Sequence, residues 1–210
     1  MLMHGGANAV IPTDGSVEVI GMYAFADVDN LGVLTIPNSV IAIETYAFMF
    51  CENLTEVVIP ASVDYIAQDA FRGCYQLAKF TVDSQNACYH VAGDALIETA
   101  SKTLIRGTAT TVIPTDGSVT AIGKDAFYGV NGLTSLSIPK TIQFLGQYAV
   151  AYCNDLIKLS LPATLQEIPS NCFRNNIALG SITIPNGVTR IGSNALVVAA
   201  LCLQFLFLQL

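Results

Sequence analysis

An about 23-residue unit recurs along most of this 210-residue chain. Its clearest marker is an Ile-Pro or Leu-Pro pair, and Pro139, Pro162 and Pro185 follow one another at intervals of one unit length. The units share the pattern L-x-x-V-x-I-P-x-S-V-x-x-I-x-x-x-A-F-x-x-C-x-x, most fully in residues 31–53, 54–76, 133–155 and 156–178. One such unit cannot bury its apolar side chains alone. The pattern therefore predicts stacked units that share one continuous core, which is a solenoid.

Each unit divides into three parts. The alternating apolar positions of L-x-x-V-x-I are typical of a short strand with one buried face. The proline ends that strand, because it has no N–H group to donate to the ladder. The V-x-x-I segment turns the chain back, and we expect A-F-x-x-C to form a short helical turn whose Ala and Phe pack inward. The fold class predicted in this way is an α/β repeat with short parallel strands.

A larger block of the chain is duplicated. The segment 9–25 reappears as 111–127, 102 residues later. In both copies Asp-Gly follows the Ile-Pro pair and adds two residues, which predicts a small loop with a positive φ. Between the copies the pattern is interrupted over about residues 83–112, where two apolar runs, 95–97 and 103–106, flank a polar stretch. We interpret this interruption as a β-hairpin inserted in the array.

The repeat pattern covers residues 10–195, which we assign to one solenoid domain, and residues 196–210 are assigned to an irregular apolar tail. Gln204 and Gln209 interrupt that apolar run, whereas a membrane span usually needs about 20 apolar residues. The tail has three interpretations: a truncated or frame-shifted end, a short membrane or sorting segment, or a capping helix. The first residues show neither the basic nor the apolar region of a signal peptide.

Charge and composition exclude several partners. The chain has 9 basic and 16 acidic residues, a formal net charge of -7, and no cluster of Lys or Arg. A nucleic-acid ligand requires clustered cations that displace counterions from phosphates, so we expect no nucleic-acid partner. The same deficit argues against an anionic membrane surface, which leaves the apolar tail as the one segment for membrane contact.

The residues that could carry chemistry favour a structural interpretation. Cys51, Cys74 and Cys153 occupy one repeat position, where we expect them to stack as free thiols that behave as small buried apolar residues; a disulfide or a metal site is the alternative. There is no C-x-x-C pair for zinc and no phosphate-binding glycine loop, so we predict no metal and no cofactor. Cys88 and His90 could share one face of a strand as a nucleophile and base, but an exposed loop edge is the simpler interpretation. We expect no enzymatic activity.

The unit resembles the BspA-like leucine-rich repeat family. The resemblance covers roughly residues 10–195, and the family motif fills a whole unit with Ile36-Pro37-Asn38-Ser39-Val40, Ile43, Ala47-Phe48, Cys51 and Leu54. It implies a curved, right-handed leucine-rich-repeat solenoid in a secreted or cell-surface protein, several relatives being similar to adhesins. The family brings no catalytic residues that could be carried over to this chain.

The remaining candidate site is the outward side of the predicted strands. The positions between buried strand residues carry small, mostly neutral side chains that we expect to form one continuous sheet. The predicted binding residues are Thr55, Glu56, Val58, Thr134, Ser135, Ser137, Lys158, Ser160, Ser181 and Thr183. Such a wide surface suits contact with a protein, or alternatively a glycan, better than turnover of a small molecule.

Together with the family resemblance, this surface leads us to predict that the chain is an adhesin-type interaction module. Its partner would be a host protein, a matrix protein or another cell surface. The alternative is a structural spacer array within a larger surface protein, without a ligand of its own.

Overall fold

The computed structural model describes residues 10–197 and the backbone of residues 204–207. Within these ranges the chain consists of short strands joined by turns. The strands are β1 (Val19–Ile20), β2 (Val33–Thr35), β3 (Ala42–Ile43), β4 (Glu56–Ile59), β5 (Tyr65–Ile66), β6 (Lys79–Val82), β7 (Tyr89–Ala92), β8 (Ala95–Glu98), β9 (Thr103–Arg106), β10 (Ala121–Ile122), β11 (Ser135–Ser137), β12 (Phe144–Leu145), β13 (Lys158–Ser160), β14 (Glu167–Ile168), β15 (Ser181–Ile184), β16 (Arg190–Ile191) and β17 (Gln204–Phe207).

The strand segment of each regular unit forms a first parallel ladder. In β2, β4 and β6, Val33, Glu56 and Lys79 lie opposite one another, each one unit length after the last. The same step places Ser135 of β11 opposite Lys158 of β13. Successive units therefore stack in register, which confirms the solenoid of about 23-residue turns with parallel strands.

The V-x-x-I segments form a second parallel ladder, which the sequence did not reveal. Ala42 of β3 lies opposite Val19 of β1 and Tyr65 of β5. The next residue in each strand points inward, and Ile20 and Ile43 are fully buried. Each regular unit thus contributes two short strands, on either side of its Ile-Pro corner, instead of one strand and a reversal.

The expected helical turns are absent, and the described residues contain no helix. The N–H of Phe48 donates to the carbonyl of Ala70 in the next unit at 2.9 Å, and the N–H of Phe50 to that of Arg72 at 2.9 Å. The intervening N–H of Met49 donates to the carbonyl of Tyr46, three residues back in the same unit, at 3.0 Å. Tyr46 and Phe50 have φ values of 58° and 57°. An α-helix needs negative φ and bonds four residues back. The helical and α/β parts of the prediction are therefore wrong.

The insert is a layer of strands between two cores. β8 pairs antiparallel with β7 and with β9, and β9 pairs in parallel with β10, which returns the chain to the second ladder. Leu96 and Ile105 pack in the core of the first half (residues 10–82), whereas Ile97 and Leu104 pack in that of the second half (residues 107–197). A strand buried on both faces requires a continuous apolar run, as the insert has.

A buried arginine joins the two halves. Arg106, at the end of β9, donates from Nη1 to the carbonyls of Asp125 at 3.1 Å and Tyr128 at 3.0 Å, and from Nη2 to that of Cys74 at 3.0 Å. Beside it, Nη1 of Arg72 lies 2.8 Å from Oδ1 of Asp125, and its guanidinium lies 3.9 Å from the ring centre of Tyr128. Burial raises the pKa of Asp125, although Arg72 acts in the opposite direction. The junction is thus polar within a mostly apolar interior.

Within residues 10–197, all five cysteines are free. Cys88 is half-buried, and the other four are buried, namely Cys51, Cys74, Cys153 and Cys172. Sγ of Cys51 donates to the carbonyl of Phe25 at 3.0 Å, and the same bond recurs one unit later. Asn176, at this repeat position, donates from Nδ2 to the carbonyl of Val150 at 2.8 Å. At these three positions a short side-chain donor thus satisfies a carbonyl of the preceding unit.

The last described strand extends the first ladder. β17 pairs in parallel with β15, and Gln204 lies opposite Ser181, again one unit length further along the chain. Residues 198–203 and 208–210 lie outside the described residues. The three interpretations of the tail concern that part of the chain and stay predictions. No helix in the described ranges is long and apolar enough to cross a membrane.

Candidate binding surface

Outward side chains of the first ladder form the predicted surface, here called the strand face. They alternate with buried residues such as Leu34 and Val57, because successive side chains of a strand point to opposite faces. The strand face consists of Val33, Thr35, Glu56, Val58, Lys79, Thr81, Ser135, Ser137, Lys158, Ser160, Ser181 and Thr183. Eight of these were identified from the sequence, and Thr55 and Thr134 directly precede β4 and β11.

The continuous sheet expected from the sequence is divided. β2, β4 and β6 form one sheet, β11 and β13 a second, and β15 and β17 a third. The break between β6 and β11 arises at the insert, because the chain leaves the first ladder there to form β7, β8 and β9. On its return, the N–H of Val112 donates to the carbonyl of Gly93 at 3.0 Å instead of to a neighbouring unit. The strand face therefore has a first-half part and a second-half part.

In the first-half part, the polar side chains bind one another. Oε1 of Glu56 accepts bonds from Nζ of Lys79 at 2.8 Å and from Oγ1 of Thr81 at 3.0 Å. The bond from Lys79, and then that from Thr81, hold the pKa of Glu56 below its ordinary value. The Thr55 hydroxyl donates to the carbonyl of Gly32 at 2.8 Å. Sequence reasoning missed Lys79 and Thr81, although each lies one unit length after a predicted binding residue.

The second-half part is open to solvent. Ser135, Ser137, Ser160, Ser181 and Thr183 are exposed, and their hydroxyls make no hydrogen bond to any other side chain or backbone group in the described part of the chain. The same holds for the exposed Thr134 and Lys158. This part therefore offers a run of hydroxyl donors and acceptors and a single cation to a partner.

The duplication places a similar cleft beside the strand face in each half. The predicted Asp-Gly loops are present, with φ values of 87° at Gly15 and 86° at Gly117. The first-half cleft has a volume of about 560 Å³ and includes Thr13 and Thr35. The second-half cleft has a volume of about 280 Å³ and includes Thr115, the equivalent of Thr13. Both clefts extend the strand face sideways.

No arrangement in the described residues indicates catalysis or metal binding. Among residues 10–197, no group of three or more His, Cys, Asp or Glu side chains could hold a metal ion. Nδ1 of His90 lies 2.9 Å from Oγ1 of Thr99, and no hydrogen bond joins this ring to Cys88 in the described chain. The structure thus gives the ring a hydroxyl partner across the β7–β8 hairpin instead of the thiol considered above.

The fold and its surface define a β-solenoid repeat protein. Comparison of the sequence with models of known families identifies its family. A family model described as a BspA type leucine rich repeat region matches residues 7–113 and 106–201 with six copies. The chain belongs to this family, which confirms the resemblance seen in the sequence. Among curated proteins, none matches the chain.

Solved structures of bacterial leucine-rich repeat proteins share the fold. A leucine rich cell surface protein of Faecalibacterium prausnitzii is 25% identical over 83% of this chain and 53% of its own, with a TM-score of 0.67. The pneumococcal vaccine antigen PcpA is 20% identical over 79% of this chain and 48% of its own, with a TM-score of 0.65. This chain therefore spans about half the length of these two proteins. Leucine-rich repeats of this kind generally mediate protein–protein contacts and are generally not enzymes.

Proposed function

We propose that the chain is an adhesin-type interaction module of a secreted or cell-surface protein, and that the second-half part of the strand face contacts a host or matrix protein. The observation that carries this proposal is the row of exposed hydroxyls without internal partners. Five Ser and Thr side chains project from the strands β11, β13 and β15 of three consecutive units. Charged side chains are depleted at the centres of protein interfaces, and this row has a single charge, on Lys158.

The geometry favours a macromolecular partner. Neighbouring strands of a ladder lie about 4.8 Å apart. The row therefore repeats small polar groups over a flat surface and does not converge on one point as an active site does. The groove beside Thr115 enlarges the contact area. We accordingly propose no catalytic role. Replacing Cys88 and His90 by alanine together is expected to leave every binding activity of the chain unchanged.

A surface-charge experiment tests the proposal. The full chain is passed over immobilised fibronectin and other matrix proteins, and saturable binding to at least one is expected. The variant Ser137→Glu/Ser160→Glu/Thr183→Glu places three carboxylates on the strand face and is expected to weaken that binding at least about tenfold, as charges at an interface centre do.

The chain offers a matched control at another repeat position. Asn131, Asn154 and Ile177 are exposed, occupy one repeat position in successive units and lie outside the strand face. Changing all three to Glu alters the net charge equally and is expected to leave binding intact. Equal losses in both variants would contradict the assignment of the strand face. No binding by folded wild-type protein across the panel would favour the spacer array.

The proposed location has its own test. The F. prausnitzii relative is described as a cell surface protein, which supports exposure of this chain at the surface of its cell. Protease treatment of intact producing cells is expected to remove the chain while a cytosolic marker survives. Protection of the chain to the same degree as the marker would contradict a surface location.

A further inference from the structure

The second ladder carries one unusually exposed aromatic ring. Phe144 of β12 lies opposite Ala121 of β10, and 68% of its surface is exposed. The outward residues at this position of successive strands are Val19, Ala42, Tyr65, Ala121, Phe144, Glu167 and Arg190. Single exposed apolar residues are common on protein surfaces and by themselves indicate nothing. The groups around Phe144 are therefore the relevant observation.

Polar side chains surround this ring and form an open cleft with it. The cleft has a volume of about 420 Å³, and the residues around Phe144 are Gln143, Thr164, Gln166, Glu167, Thr189 and Arg190. Nη1 of Arg190 lies 3.2 Å from Oε1 of Glu167, and both side chains are largely exposed. The amides of Gln143 and Gln166 make no hydrogen bond within the described part of the chain. One apolar face is thus bordered by unused donors and acceptors.

We propose that this cleft binds a neutral sugar unit of a glycan. A pyranose ring has an apolar C–H face that can lie on the Phe144 ring, and a rim of hydroxyls. With the ring in that position, hydroxyls reach the Gln143 and Gln166 amides. Glu167 of β14 and Arg190 of β16 line the same cleft as the ring. The carboxylate accepts hydroxyl protons, and the guanidinium donates to hydroxyl oxygens.

The charge and polarity of the cleft select this ligand class. Glu167 and Arg190 cancel each other, and the chain as a whole is negative, so an acidic glycan gains nothing from the site. An apolar small molecule would need mainly hydrophobic walls, whereas Phe144 is the one large apolar side chain that lines this cleft. A neutral, hydroxyl-rich ligand matches both properties.

The duplication supplies an internal comparison. The residues 102 positions before Gln143 and Phe144 are Ile41 and Ala42, so the equivalent first-half site lacks both the aromatic platform and the adjacent amide. Tyr65 of the first half stands where the second half has Glu167, and its ring is 51% exposed. The proposed site is therefore specific to one half of the array.

The experiment measures binding of the full chain to an array of neutral oligosaccharides that present glucose, galactose, mannose or N-acetylglucosamine, with sialylated oligosaccharides on the same array. Wild-type protein is expected to bind at least one neutral glycan. Phe144→Ala, which introduces the first-half residue, is expected to weaken that binding at least about tenfold, whereas Phe144→Tyr retains it, because stacking needs an aromatic face. Tyr65→Ala is the matched control for loss of an exposed ring and is expected to bind as wild type does.

Several results would overturn the proposal: no binding to any neutral glycan, equal binding by Phe144→Ala and wild type, preference for the sialylated glycans, or an equal loss in Tyr65→Ala. The site lies on the second ladder and is independent of the strand face. Ser137→Glu/Ser160→Glu/Thr183→Glu is therefore expected to keep glycan binding, and Phe144→Ala to keep binding to matrix proteins. Failure of either proposal is thereby distinguished from failure of the other.

Discussion

Replacing Arg106 by methionine is expected to weaken the junction between the two halves of the array. The side chain is 1% exposed, and its guanidinium donates to three backbone carbonyls, those of Cys74, Asp125 and Tyr128. Those carbonyls belong to the turn segments on either side of the insert. Methionine has a similar length but no donor, so the substitution leaves the packing nearly filled and removes all three bonds.

The expected loss in free energy of unfolding is about 3–5 kcal/mol. Each hydrogen bond donated by a charged group contributes about 1.5–3 kcal/mol. Part of the sum is offset, because the variant no longer buries a charge and because the carbonyls of Cys74 and Asp125 keep bonds from the N–H groups of Leu77 and Tyr128. For a chain of this size, each kcal/mol lowers the Tm by roughly 2–4 °C, so a decrease of roughly 6–20 °C is expected.

Urea and thermal unfolding, followed by circular dichroism, measure this loss. Stacked units couple only to their neighbours, so a weakened junction is also expected to separate the unfolding of the two halves and to broaden the transition. Arg190→Met is the matched control, because Arg190 is exposed and its ion pair with Glu167 contributes about 1 kcal/mol or less. If Arg106→Met unfolded at the same midpoint as Arg190→Met, the bracing role of Arg106 would be refuted.

Two further substitutions test the backbone and the buried thiols. A Cβ on Gly93 would lie 1.8 Å from the carbonyl oxygen of Val112, whereas one on Gly15 would meet nothing within 4 Å, and both residues have positive φ. Gly93→Ala is therefore expected to cost about 3 kcal/mol and Gly15→Ala about 1 kcal/mol in urea unfolding, and equal costs would contradict the close approach. Burial raises the pKa of Cys153 from 9.0 to about 12, so the stability from its protonated thiol is fully present below pH 9 and is lost as the pH rises to about 12. Between pH 8 and pH 10 the free energy of unfolding of the wild type is expected to fall by about 1 kcal/mol more than that of Cys153→Ala. Equal decreases would show that this thiol has the same pKa in the folded and unfolded states.

The parts of the fold that were predicted correctly are those that depend on local sequence. Alternating apolar residues before each proline identified strands such as β4, because a strand with one buried face requires that alternation. The Asp-Gly pairs identified the loops at Gly15 and Gly117, because few other residues tolerate the positive φ found there. Two apolar runs identified the insert as a hairpin.

The helical turns were predicted wrongly because contacts between units determine that backbone. An Ala-Phe pair followed by a cysteine suits the inward face of a helix and equally suits a series of turns. The bonds from Phe48 and Phe50 to the next unit favour the turns, and nothing within one unit reveals them. The role of Arg106 was missed for the same reason, because its three acceptors lie 19 to 32 residues away in sequence.

The candidate sites were predicted in part. Counting in steps of one unit length identified most of the strand face, and it could also have placed Phe144 beside Glu167 and Arg190. It could not reveal that the V-x-x-I segments form strands such as β12, β14 and β16, because two-residue strands have too short a pattern to detect. The internal ion pair of Glu56 with Lys79 likewise depends on side-chain geometry that the repeat does not specify.

Amide hydrogen exchange on the full chain, alone and with saturating fibronectin, tests the assignment of the strand face most directly. We expect fibronectin to slow exchange in β11, β13 and β15 and at the groove beside Thr115, while the turn segments around Tyr148 and Asn171 remain unchanged. Unchanged exchange throughout, or slowing confined to the turn segments, would contradict the assignment of the strand face as the binding surface.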